Sequence, residues 1–142
     1  MGLRKFTGTI GKKWASGTAT LSSDTTNFKS GDGSTVITGL RSITVSGLSF
    51  TPSIIILFKN ENSVVSSSIY GNFSIYLKDL DLSNYPGADI LTGYLQPNGN
   101  IGTIRSYAAN FPPVSVTNNG FTLPFEQTNY NQINTVKWIA IE

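Results

Sequence analysis

Phe73-Ser74-Ile75-Tyr76-Leu77 alternates apolar and hydroxyl-bearing side chains with a period of two. Successive side chains of an extended chain point to opposite faces, so Phe73, Ile75 and Leu77 share one face and Ser74 and Tyr76 the other. The segment reads as a half-buried antiparallel strand. Earlier in the chain, Ile54-Ile55-Ile56-Leu57-Phe58 is apolar at every position, the pattern of a strand covered on both faces. Its second cover is expected from a second sheet or from a neighbouring subunit.

Working outward, β-branched, aromatic and glycine residues dominate, and no window holds apolar residues at helical three-and-four spacing. Strands are expected over 15–21, 36–45, 54–59, 67–77, 90–95, 101–107, 114–117, 121–125 and 136–141, separated by turn-forming clusters. Asn119-Gly120 predicts a type I′ hairpin turn, which needs positive φ at both central residues. Pro97-Asn98-Gly99-Asn100 and Ser30-Gly31-Asp32-Gly33-Ser34 mark two further reversals. Short strands at this spacing predict an all-β domain, an antiparallel β-sandwich or jelly-roll-like fold, over residues 14–142, preceded by a short arm, 1–13.

The 142 residues fit one domain with a sizeable core. Charged residues are 13% of the chain, against about 25% in ordinary soluble domains, so hydroxyl and amide groups must form most of the surface. The net charge of +2 comes from ten Lys and Arg against eight Asp and Glu. Arg4, Lys5, Lys12 and Lys13 all precede Trp14, which leaves six cations against eight anions in the body. The basic character therefore belongs to the arm, which is expected to serve as an attachment segment. A slightly acidic body argues against nucleic-acid binding. No stretch of the sequence is long and apolar enough to span a membrane, and 1–7 has neither a signal-peptide core nor a myristoylation pattern, so no membrane insertion is expected.

Cysteine and histidine are both absent, which removes disulfides, thiolate metal sites, the cysteine nucleophile and the usual general base. A carboxylate-only glycan hydrolase would have to use Asp79-Leu80-Asp81, whose acids share a face only if the segment is extended, about 7 Å apart at Cα. Asp79-x-Asp81-x-Ser83 also has oxygen ligands for calcium, without the glycine and distant glutamate of an EF-hand loop. Gly31-Asp32-Gly33-Ser34 has no following lysine or helix and reads as a turn rather than a phosphate cradle. The expectation is a non-enzymatic protein without cofactor or metal.

Phe50, Phe58, Phe73, Phe121, Phe125 and Trp138 fall within or beside apolar strands and are expected in the core. Tyr85 and Tyr130 sit instead in polar turns, beside Asn84 and Asn129, where a ring and an amide together can stack on a sugar and bond its hydroxyls. These four are the candidate ligand-binding residues.

Three segments resemble the compact β-domains near the C-termini of tail-fibre and baseplate proteins in phages of Gram-positive bacteria. They are Trp14-Ala15-Ser16-Gly17-Thr18-Ala19-Thr20, then Val45-Ser46-Gly47-Leu48-Ser49-Phe50-Thr51-Pro52-Ser53-Ile54-Ile55-Ile56, then Asn119-Gly120-Phe121-Thr122 with the closing Val136-Lys137-Trp138-Ile139-Ala140-Ile141-Glu142. A looser similarity runs to the H-type lectins, which share an aromatic-Pro-x-hydrophobic strand and a late Trp-x-Ala. These resemblances imply a phage virion protein, extracellular after release, whose head binds a host cell-surface saccharide. The alternative is a purely structural tail, baseplate or capsid-decoration subunit. Other tail or baseplate proteins are the implied partners. The resembled heads are trimeric, and the doubly apolar 54–58 segment adds to the expectation of a homotrimer with that strand near the axis. Such heads usually end a long fibre, whereas about a dozen residues precede Trp14, which suggests a separately encoded virion part.

Overall fold

The computed structural model describes residues 11–31, 33–60, 71–80, 88–95, 105–108, 112–125 and 135–142. The described residues form no helix and ten strands: β1 (Trp14–Thr20), β2 (Thr26–Lys29), β3 (Val36–Ser46), β4 (Ile54–Asn60), β5 (Gly71–Leu77), β6 (Ala88–Leu95), β7 (Arg105–Ala108), β8 (Ser115–Thr117), β9 (Gly120–Phe125) and β10 (Thr135–Ile141). They build two antiparallel sheets, one ordered β1-β10-β4-β5-β6-β7 and the other β2-β3-β9-β8. The sheets pack face to face, β1 against β3, β2 against β7 and β5 against β9. The chain is an all-β sandwich, as its strand and turn spacing predicts.

Between the sheets lie Phe28, Ile43, Ile55, Leu57, Tyr107, Phe121, Leu123, Phe125 and Val136, each shielded from solvent. Phe28 and Tyr107 meet edge to face at 6.1 Å, and Phe121 meets Trp138 the same way at 5.8 Å. Such aromatic pairs contribute roughly 0.5–1.5 kcal/mol beyond the area they bury. Phe50 and Pro52 are also buried, and Gly47 adopts φ +86°, so the 45–56 run turns and then enters β4.

The sequence pattern does not reveal β2, because Thr26-Asn27-Phe28-Lys29 carries one apolar residue in four. Tertiary pairing makes it a strand: it bonds to β3 across a bulge and drops Phe28 into the core. Of the segments expected at 67–77 and 101–107, residues 67–70 and 101–104 lie outside the described residues.

Two local expectations are corrected, the core placement of Phe58 and Phe73 and the centre of the hairpin turn, and pairing decides which faces turn inward. The inward face of β5 is Asn72, Ser74 and Tyr76, while Phe73, Ile75 and Leu77 are only half-buried on the outer side. Phe58 and Phe73 are consequently not core residues; Phe58 is 38% exposed. The second sheet covers only one face of β4, that of Ile55 and Leu57, so among the described residues the second sheet is not the cover of the opposite face, and the neighbouring subunit stands as the other cover the pattern allows. The hairpin turn is centred on Asn118-Asn119 rather than Asn119-Gly120, since Thr117 pairs with Gly120. Among the described residues Asp79 is the one non-glycine residue with positive φ, so this turn is not type I′. The Thr117 hydroxyl sets it, accepting from the Asn119 N–H at 3.2 Å and donating to the Gly120 carbonyl at 3.2 Å.

Candidate functional site

The outer faces of the two sheets have opposite chemistry. On the four-stranded sheet, Thr44 of β3 lies opposite Thr122 of β9, which lies opposite Ser115 of β8. One step along the strands, Ser46 lies opposite Gly120, and Gly120 opposite Thr117. Period-two alternation carries this row of hydroxyls outward while Ile43, Phe121 and Leu123 point in. The Thr44 and Thr122 hydroxyls bond to each other at 3.0 Å. With Asn119 these residues line a shallow cleft of about 140 Å³. It holds no charged side chain.

On the six-stranded sheet the outer face is apolar. Trp14, Ile141, Ile54 and Leu77 stand side by side across β1, β10, β4 and β5. The neighbouring row is Ser16, Ile139, Ile56, Ile75, Leu91 and Ser106, and the next is Thr18, Lys137, Phe58, Phe73 and Gly93. Trp14 is 69% exposed and Ile139 43%. A groove of about 380 Å³ runs between Ser16, Thr18, Lys137, Ile56, Phe58 and Ile139.

A third feature is internal. Lys59 opposite Asn72, and Ser74 opposite Thr92, form a buried polar seam between the sheets. Lys59 and Ser74 both face inward from neighbouring strands, the residue types of a Ser-Lys nucleophilic pair. Enclosure between two sheets gives a substrate no approach to either, so the seam is packing chemistry. At the β5–β6 end, burial and then the charges of Asp89 and Asp79 hold the Tyr76 phenol above its ordinary range. Burial, and then Asp79, push the Asp89 carboxyl up as well.

Of the residues picked from sequence, Asn84, Tyr85, Asn129 and Tyr130 lie outside the described residues, as do Arg4 and Lys5 of the arm. Lys12 and Lys13 are exposed just before β1, where the Lys13 N–H donates to the Glu142 carboxylate at 3.1 Å. Asp79 sits in a turn with φ +61°, not in an extended segment, and Asp81 lies outside the described residues. The shared-face geometry that a carboxylate pair or a calcium loop would take from an extended strand is therefore lost at Asp79. Among the described residues no three metal-binding side chains cluster. The hydroxyl face is announced by no local motif and the apolar face only by the 54–58 run, because each is assembled by cross-strand register from distant parts of the chain.

Comparison with protein-family models, curated proteins and solved structures finds no match to this chain.

Proposed function

We propose that the protein is a non-enzymatic phage virion domain, of tail-fibre or baseplate type, that presents the outer face of its four-stranded sheet to a host surface saccharide. The observation that carries this reading is the uncharged, hydroxyl-lined cleft of Thr44, Ser46, Ser115, Thr117, Asn119 and Thr122. Hydroxyls and amides both donate and accept, which matches the alternating donors and acceptors of a sugar ring. At about 140 Å³ the cleft is smaller than the roughly 300 Å³ of ordinary small-molecule pockets, which suits a weak contact with one sugar unit. The virion setting rests on the resemblance of the 14–20, 45–56, 119–122 and 136–142 segments.

A labelled Ser115→Ala, Thr122→Val double variant tests the reading on Gram-positive cell walls and on immobilised bacterial polysaccharides. Both changes are at solvent-facing positions, so the melting temperature should stay within a few degrees of the parent while binding falls at least tenfold. Binding equal to the parent's, or a parent that decorates no wall or polysaccharide, overturns it.

The second reading, a purely structural particle subunit, is favoured by the apolar outer face of the six-stranded sheet. Particles that assemble without the protein yet fail to adsorb support adhesion; particles that fail to assemble support the structural role.

A further inference from the structure

We propose that the apolar outer face of the six-stranded sheet is an isologous docking surface for a second copy of this chain, the two sheets crossing almost at right angles with Lys137 of each copy set over the Asp79–Asp89 corner of the other. The inference concerns the opposite side of the sandwich from the hydroxyl cleft, stands or falls separately from the saccharide reading, and puts a two-fold pair in place of the trimer that the resemblance implies.

Extent is the first argument. Five strands at about 4.8 Å spacing and three outward rows at roughly 6.8 Å make a face on the order of 400 Å² in outline, more once side-chain relief is included. That reaches the size of the largest apolar patch on a typical monomer. Two such faces make about 800 Å² in outline, below the roughly 1,000 Å² of a stable interface, so the pair is a weak, concentration-dependent one. Ile56 and Ile75, opposite each other on β4 and β5, mark its centre.

Charge is the second argument, and it selects the occupant. Within the three outward rows described above, the one basic side chain is Lys137, beside Thr18 and Phe58 on β10. Asp79, in the turn after β5, and Asp89, at the start of β6, lie at the diagonally opposite corner, next to Leu77, where the two acids outnumber the exposed Lys78 beside them. Their proximity to each other is what raises the Asp89 carboxyl after burial. A face with its cation at one end of a diagonal and its anions at the other is complementary to itself. A two-fold axis through the Ile56–Ile75 centre, perpendicular to that diagonal, places each lysine over the other copy's acids.

Sheet geometry then follows without further assumption. From β10 to β6 is three strand spacings, about 14 Å, and from the Lys137 row to the Leu77 row is two row spacings, roughly 13 Å. The diagonal therefore runs at about 45° to the strands, and rotation about its perpendicular makes the strands of the two copies cross near 90°. Orthogonal crossing is one of the two arrangements in which twisted sheets pack. Apolar rows carry the contact, and the paired corners fix its register.

Light scattering on the full chain at micromolar concentration reads the outcome. The expected mass rises with concentration towards twice 15.3 kDa. Lys137→Asp alone, and Asp79→Lys with Asp89→Lys, should each raise the dissociation constant at least tenfold, and the triple variant should restore most of the loss. Ile139→Thr, on the exposed side of β10, should also weaken the dimer while its circular dichroism and melting curve at monomeric dilution match the parent's. A parent that stays at 15.3 kDa on concentration, a mass of three chains, or reversal variants that associate as the parent does overturns the proposal.

Discussion

A Cβ added at Gly120 runs into the backbone carbonyl oxygen of Val45 on the neighbouring strand, and the residue holds φ +154°, where side chains other than hydrogen are strained. The obstacle is backbone and cannot swing aside, so Gly120→Ala should destabilise the domain by roughly 2–3 kcal/mol. Chemical denaturation measures this; a loss below about 0.5 kcal/mol would mean that β3 and β9 separate freely there. The raised Asp89 carboxyl makes a different prediction. Its neutral form is favoured by the fold, so the linked stability is fully present below the ordinary carboxylate value of 3.8 and is lost as pH rises through the raised one. Asp89→Asn should therefore be more stable than the parent at neutral pH, the advantage shrinking to nothing below about pH 4. Thermal melts of both proteins across that window test the sign. Tyr76 follows the same sign at alkaline pH: its contribution is present below 10.0 and lost as pH rises through its raised value.

Among the elements, β10 carries one large ring beside the buried Val136 and Ala140. Trp138 is half-buried, stacks edge to face on Phe121 and lies so close to Gly17 of β1 that a Cβ there would meet the ring at 2.9 Å. Trp138→Ala should cost about 2–4 kcal/mol, at or below the range for a fully enclosed aromatic because part of the ring is already wet. Gly17→Ala should cost about 1–3 kcal/mol by pushing the indole off Phe121, visible as a change in tryptophan fluorescence. A Gly17→Ala chain with the parent's emission and stability would show that the ring has room to move. Alternation in 73–77 predicts a strand and its two faces, but period alone does not say which face turns inward. Pairing decides it: Leu57 on the inner side of β4 lies opposite Ser74, so the polar set of β5 goes in and Phe73, Ile75 and Leu77 go out. The doubly apolar 54–58 segment was the one local sign of the apolar outer face. Trp14, Ile139, Ile75 and Leu91 joined it through register alone, which no local window contains. The hydroxyl cleft was less legible still, since Ser and Thr crowd the whole sequence.

For the molecule as a whole, the order β1-β10-β4 makes the last strand an internal one, held between the first described strand and a strand from the middle of the chain. Such long-range pairing forms only after most of the chain has been brought together, which predicts refolding in milliseconds to seconds rather than microseconds. It also sets where the fold can be cut. Removing residues 135–142 deletes the buried Val136 and Ala140, strips β1 of its only sheet partner among the described residues, and leaves β4 as an edge with Ile55 and Leu57 newly reachable by water. An open apolar edge of that kind pairs with other chains. The truncated protein should lose its cooperative thermal transition and aggregate at micromolar concentration. Removing residues 11–20 instead takes away an outer strand whose inward residues, Ala15, Gly17 and Ala19, are small, and β10 keeps its pairing with β4. That variant should still unfold cooperatively, at a lower temperature. Adding the 135–142 peptide to the first truncation should recover the transition in proportion to peptide concentration, because the β1–β4 gap it fills is otherwise unpaired on both sides. A cooperative melt within a few degrees of the parent, with 135–142 absent and no peptide added, would show that β4 and β1 do not depend on β10.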